Sequence, residues 1–244
     1  MTRPELSGRV TMLSTKDWKP VGRPVDVGEH VSWVQARPDD RTAVVLTGGP
    51  TAEQLRIAGS PGWALLDLDA GTVVTRGSLG MAHGAWLGIS PDGRYAAVAG
   101  GSFAELVTPT GADGKLAVID LRAGTLVRPP VTAHQGVAFQ LAYSPDGSRI
   151  LTTGLDGTVA LWDATRGTLL GRIALDGHPY ATVGFTADGR AARIVEWGTG
   201  RVWTWPLDTD HAVTFACRAA GRDLTREEWR DHFGVRPYLH VCDR

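Results

Sequence analysis

The sequence predicts an all-β fold, a β-propeller assembled from four-stranded blades, followed by a short α-helical C-terminal tail. Three observations predict it. A tight-turn motif recurs as ARPDDR (36–41), ISPDGR (89–94), YSPDGS (143–148) and FTADGR (185–190), at spacings of about 53, 54 and 42 residues. A second motif follows it: an apolar run, an Asp, a short turn and another apolar run. Its copies are WALLDLDAGTVVT (63–75), LAVIDLRAGTLVR (116–128) and VALWDATRGTLLG (159–171). Between these turns apolar residues alternate with a period of two, and helical periodicity is absent until about Ala212.

Taken in order, VTMLSTKDWKPVG (10–22) fits the second motif loosely, with Ser14 in place of the Asp, and contributes two strands over about 8–26. Full blades are expected near 30–80, 83–131 and 134–175, then three strands over 178–208. The third blade is the clearest, its strands reading VAFQLAYS, RILTTG, TVALWD and TLLGRIAL. Pro followed by Asp-Gly suits a type I turn closed by a left-handed glycine, a common hairpin connection. The propeller segment therefore spans 8–208, with between four and five blades and an incomplete ring, and the tail spans 209–244. An open arc leaves unpaired edges. Because the repeats open at what reads as a third strand, the expectation is the C-terminal piece of a longer protein. The rival is a small propeller completed by self-association.

Composition agrees with a folded domain. Of 244 residues 43% are hydrophobic, enough to bury a sizeable core. Lys and Arg number 25 against 26 Asp and Glu, a net charge of −1 that suggests neither nucleic acid nor an anionic membrane as a partner. No apolar run approaches the roughly 20 residues that span a bilayer, and MTRPELSGRV lacks the apolar centre of a signal peptide. The expected location is cytoplasmic. In that reducing setting Cys217 and Cys242 are expected as free thiols.

The third blade carries His134 before its first strand, Asp156 in a DGT turn and the pair Trp162-Asp163. The repeats resemble the WD-repeat family over roughly residues 8–208. That resemblance implies a buried hydrogen-bond chain inside one blade, here His134, Asp156, Trp162 and a strand hydroxyl, Thr152 or, second, Thr153. The other blades keep less: His30, His83 and His178 hold the histidine place, but Leu66-Asp67 and Ile119-Asp120 replace Trp-Asp. The last unit offers Trp203 or Trp205 at the tryptophan place and Gly200 near the turn. A His, an Asp and a Thr together could suggest a catalytic triad. A repeat that supplies the histidine four times over fits a structural device better than a catalyst, which needs one copy.

In the tail, Thr225 and Glu228 form a capping box for a helix over about 226–233, ended by Gly234, with Leu224 and Trp229 placed for a hydrophobic staple. His211 to Ala220 is expected helical too, and Trp229, Phe233 and Tyr238 are expected on the last blade. The pattern Cys217, Ala220 to Thr225, Glu228-Trp229, Tyr238 and Cys242 resembles the extension after WD repeats in large actinobacterial signalling ATPases. That resemblance implies a sensor module attached to a nucleotide-binding switch. A disulfide, or a metal held with His240 or His232, is the other reading of the two cysteines, although without C-x-x-C spacing zinc is weakly indicated.

No G-x-S-x-G, H-E-x-x-H or P-loop occurs, and the recurring acids Asp39, Asp92, Asp146 and Asp188 fall in the repeated turns. Two long insertions, GGPTAEQLRIAGSPG (48–62) and GGSFAELVTPTGADG (100–114), separate second and third strands of neighbouring blades. Such connections share one face of a propeller, so Gln54, Leu55, Arg56, Phe103, Glu105 and Leu106 are the candidate partner-binding residues. The expected function is a non-catalytic protein-interaction or sensing scaffold, with protein partners and no cofactor or metal. The alternatives are a propeller-fold hydrolase or lactonase with a channel metal, and part of a transcriptional regulator.

Overall fold

The computed structural model describes residues 8–28, 30–48, 61–101, 113–175 and 180–242. Five antiparallel sheets follow one another along the chain. The first is a hairpin of β1 (Arg9–Leu13) and β2 (Pro20–Asp26). The second orders β3 (Val31–Ala36), β4 (Thr42–Thr47), β5 (Gly62–Asp67) and β6 (Thr72–Ser78) side by side. The third holds β7 (Gly84–Ile89), β8 (Tyr95–Gly100), β9 (Asp113–Asp120), the two-residue β10 (Thr125–Leu126) and β11 (Val131–Gln135). The fourth is β12 (Ala138–Tyr143), β13 (Arg149–Gly154), β14 (Thr158–Asp163) and β15 (Leu169–Ala174). The fifth is β16 (Ala181–Phe185), β17 (Ala191–Glu196) and β18 (Val202–Pro206).

In each of the last four sheets the strands pair in chain order, and their first strands stand side by side: β3 beside β7, β7 beside β12, β12 beside β16. The sheets are thus propeller blades with the first strand innermost. The middle strands of the inner blades read as continuous buried apolar runs (Ala43–Leu46, Ala96–Ala99) because a neighbouring blade covers each face, whereas β17 alternates buried and exposed residues. Separate apolar clusters fill the successive gaps, for example Leu46, Leu65, Leu87 and Ile119 in one and Ala97, Val118, Ile150 and Trp162 in the next.

One blade departs from the four-strand expectation. Its outer strand is interrupted after Leu126, and the chain rejoins β9 as β11, at Val131–Gln135. Pro129 and Pro130 lie in the gap; a proline has no N–H for the ladder, which breaks a strand there.

Two helices follow the last blade. α1 (Thr209–Ala220) is N-capped by Asp208 and packs against β18, and α2 (Arg226–Phe233) carries the complete Thr225/Glu228 capping box. Tyr238 packs edge-on to Trp229 at 5.6 Å and donates to the Leu224 carbonyl at 2.7 Å, giving the tail a small core of its own.

The cysteines correct an expectation. Cys217 and Cys242 form a disulfide with their Cα atoms 5.2 Å apart. The Asp223 carboxylate accepts from the Val241 and Cys242 N–H groups, both at 2.9 Å, and faces His240 Nδ1. This clamp folds the chain back until the two sulfurs meet at the end of α1 across a separation of 25 residues, the disulfide reading of the pair and not the free thiols. His240 is engaged by Asp223 and neither sulfur is a free thiol. Among the described residues no helix is long and apolar enough to cross a membrane.

Candidate functional site

The four residues singled out in the third blade meet in one buried chain. β13 and β14 run side by side with Thr152 opposite Ala160 and Ile150 opposite Trp162, which places the Trp162 indole diagonally across Thr152. Trp162 Nε1 donates to Thr152 Oγ1 at 2.9 Å, and Thr152 Oγ1 lies 2.8 Å from His134 Nε2. His134 Nδ1 faces Asp156 Oδ1 at 3.1 Å. The neutral ring protonated at Nδ1 satisfies every atom: indole gives to hydroxyl, hydroxyl to Nε2, and Nδ1–H to the carboxylate.

The turn after β13 brings Asp156 to that position. Gly157 takes a φ of +71°, the left-handed region open to glycine, and its N–H closes the turn on the Gly154 carbonyl. Asp156 Oδ2 accepts from the Gln135 N–H at 2.9 Å, and Thr158 Oγ1 donates to Oδ1 at 2.8 Å. Burial pushes the Asp156 carboxyl upward, but the hydrogen bonds from His134, the Gln135 N–H and Thr158 outweigh it and hold the carboxyl far below its ordinary range. Arg172 adds a longer ion pair at 3.6 Å and donates to the Ala133 carbonyl. Neither Thr158 nor Arg172 was singled out by motif; the tell-tale signal was only Thr158 following the Asp-Gly turn.

Chemically this assembly is closed. His134 is 1% and Thr152 0% exposed, and the Thr152 oxygen is already engaged by Trp162 and His134. No substrate reaches the hydroxyl as it stands. The two preceding blades keep His30 and His83 but carry Val45 and Val98 opposite Ala64 and Ala117, where Thr152 stands opposite Ala160. Leu66 and Ile119 take the tryptophan place, so no hydroxyl-to-indole link forms there. Burial lowers the pKa of His83, favouring its neutral form. His178 lies outside the described residues.

The last blade uses a different pair. Trp205, opposite Ala192, occupies the place of Trp162 opposite Ile150 and packs into the interblade cluster. Trp203 instead donates its Nε1 to Glu196 Oε1 at 3.0 Å, and Thr199 Oγ1 donates to Oε2 at 2.9 Å. Glu196 is 1% exposed at the position where the third blade has Gly154. No motif announces this buried carboxylate.

A second arrangement lies at the end of the blades where first strands start and second strands finish. Trp33 on β3 and Trp86 on β7 have ring centroids 4.4 Å apart, and Phe139 on β12 follows at 5.8 Å. Phe139 stands edge-on to Tyr180, just before β16, and to Trp197, just after β17, at 5.7 Å each. Tyr180 and Trp197 stack at 6.1 Å, and Trp197 Nε1 donates to Thr182 Oγ1. Five rings from four blades form one row, with Tyr180 41% and Trp197 43% exposed at its far end. The long connections after β4 and β8 leave from this same end. The candidate residues Gln54, Leu55, Arg56, Phe103, Glu105 and Leu106 lie outside the described residues. No group of three His, Cys, Asp or Glu placed to hold a metal occurs among the described residues.

Fold and site together define a β-propeller whose third blade carries a complete His–Asp–Thr–Trp network. Residues 125–163 match the family described as WD domain, G-beta repeat. The cilia- and flagella-associated protein 43 of Chlamydomonas reinhardtii is 29% identical over 153 residues, covering 56% of this chain and 9% of that protein. Protein groucho of Drosophila melanogaster is 47% identical over 58 residues, 24% of this chain and 8% of its own length. The chain thus spans less than a tenth of either curated relative. Among solved structures, Kuenenia stuttgartiensis hydrazine synthase superposes with a TM-score of 0.65 over 83% of this chain and 66% of that one, at 16% identity, a likeness of fold alone.

Proposed function

We propose that the chain is a non-catalytic interaction module that holds a protein partner on the face bearing the aromatic row. One observation carries the reading: Tyr180 and Trp197, large rings about two-fifths exposed, end a row of five on a rigid blade scaffold. Tyrosine and tryptophan are the side chains that anchor protein interfaces most effectively, combining a large apolar area with a hydrogen-bonding edge. The rigid blades keep the rings in place, so little conformational entropy is lost on binding. The resemblance of the Cys217–Cys242 segment to the tails of signalling ATPases supports placing this module in a signalling or regulatory protein.

The test compares Y180A/W197A with wild type in quantitative capture of partners from a host lysate, with thermal melts as the control for folding. A partner retained by wild type and depleted about tenfold by the variant is the expected result. Equal retention by a folded variant places the binding surface elsewhere. A parallel screen of generic esters with divalent metals separates the scaffold from a hydrolase.

A further inference from the structure

The Cys217–Cys242 bond is one of several ties that fold the tail, and the others are hydrogen bonds and ring contacts between different atoms. Asp223 Oδ1 accepts the Val241 and Cys242 N–H groups at 2.9 Å each, and Oδ2 lies 3.2 Å from His240 Nδ1. Trp229 Nε1 donates to the Arg236 carbonyl at 3.1 Å, and Tyr238 stands edge-on to both Trp229 and His240. Arg222 grips the Glu228 carboxylate through two nitrogens at 2.8 Å each, beside the capping box. These contacts alone carry the chain from Cys217, in the last turn of α1, back to Cys242. Cys242 Sγ lies 3.6 Å from the Arg222 carbonyl oxygen, an acceptor that suits an S–H. Both cysteines are half-buried, within reach of small molecules in solvent. The chain has no third cysteine to compete with them.

We propose that Cys217 and Cys242 are a reversible dithiol–disulfide couple that opens and closes within the folded tail, with Asp223 as the positioning residue that favours the closed form. The oxidant is a small disulfide of the glutathione type. One cysteine thiolate attacks a sulfur of that disulfide, whose S–S bond breaks and expels one small thiolate. The second cysteine, its proton lost to water, attacks the protein sulfur of the mixed disulfide and expels the other. The protein pair gives up two electrons and two protons, and the small disulfide ends as two thiols. Thiols joined only by an unfolded tether meet at an effective concentration on the order of millimolar. The Asp223 clamp instead holds Cys242 beside the end of α1 before the bond exists, so closure orders little more of the chain. By linkage the bond and the folded tail favour each other by one and the same factor.

Equilibration in mixtures of reduced and oxidised glutathione tests the couple, with acid quench, alkylation and intact mass reading the closed fraction. The closure constant of wild type should exceed that of the urea-unfolded chain about a hundredfold. D223A, which removes both charge-assisted hydrogen bonds, should lower it by about tenfold or more. D223N keeps an oxygen for the two N–H groups and should stay within about threefold of wild type. Thermal melts of the blades show that each variant is folded. In reduced wild type the Val241 and Cys242 amides should still exchange about tenfold more slowly than in the unfolded chain, or slower. Equal closure constants for wild type and D223A would overturn the proposal, as would equal constants for the folded and unfolded chains. Unprotected Val241 and Cys242 amides after reduction would also overturn it, since the bond would then hold the tail instead of closing within it.

Discussion

Thr152 Oγ1 receives the Trp162 indole N–H at 2.9 Å inside a blade from which water is excluded. The same oxygen lies 2.8 Å from His134 Nε2, so one hydroxyl joins a strand to its neighbour and both to β11 of the preceding sheet. Removing that oxygen orphans a buried donor and a buried acceptor at once. T152V keeps the shape and should cost about 2–4 kcal/mol, the sum of two unsatisfied groups, whereas T152S should cost about 1 kcal/mol or less. Urea unfolding of the three proteins checks the order. Equal losses for Ser and Val would mean that packing, not the hydroxyl, holds the blade.

Asp156 should make stability depend on pH. Its carboxyl titrates below the unfolded value of about 3.9, because the hydrogen bonds from His134, the Gln135 N–H and Thr158 outweigh its burial. The stabilisation from a depressed carboxylate is present above the unfolded pKa and is lost as pH falls through the folded one. The gap in stability between wild type and D156N should therefore stay constant from pH 8 to about 4 and narrow below. Melting temperatures across that range decide it, and a gap that held undiminished at pH 2 would locate the stabilisation elsewhere.

Gly154 is required by the ring beside it. A Cβ built there would lie 2.3 Å from His134 Cγ, closer than any packing tolerates. G154A should cost about 3 kcal/mol or more, in line with severe overpacking. Gly184, on β16, has nothing within 4 Å of its would-be Cβ, and G184A should change stability by about 1 kcal/mol or less. Comparable losses from the two would disprove the steric account.

The Cys217–Cys242 bond closes a loop of 25 residues' separation and should add about 3 kcal/mol to the local stability of the tail. C217S/C242S should leave the melting of the blades unchanged while hydrogen exchange over 221–242 accelerates about a hundredfold. Intact mass under non-reducing conditions establishes the bond directly: a thiol-alkylating reagent should add nothing to the wild type until a dithiol reductant is supplied.

The blades were legible because each is local. Hairpins bring β13 and β14 together within fifteen residues, and the partners Thr152, Asp156 and Trp162 are held by that register, so spacing alone suggested who meets whom. The same reasoning passed over Glu196 and Trp203, since nothing in EWGTGRVW distinguishes a buried carboxylate from a solvated one before the sheet is folded. It also missed Arg172, which reaches Asp156 from the outermost strand.

By itself the sequence determined the strand order, the turns, the helix caps and the blade in which a complete network could form, because alternation and turn chemistry act between neighbours in the chain. The tertiary structure decided what depends on one blade meeting another. It lined up Trp33, Trp86, Phe139, Tyr180 and Trp197, which 164 residues separate end to end. It joined Cys217 to Cys242. Each of these is set by which faces are covered, and coverage is a property of packing between distant segments that no local pattern encodes.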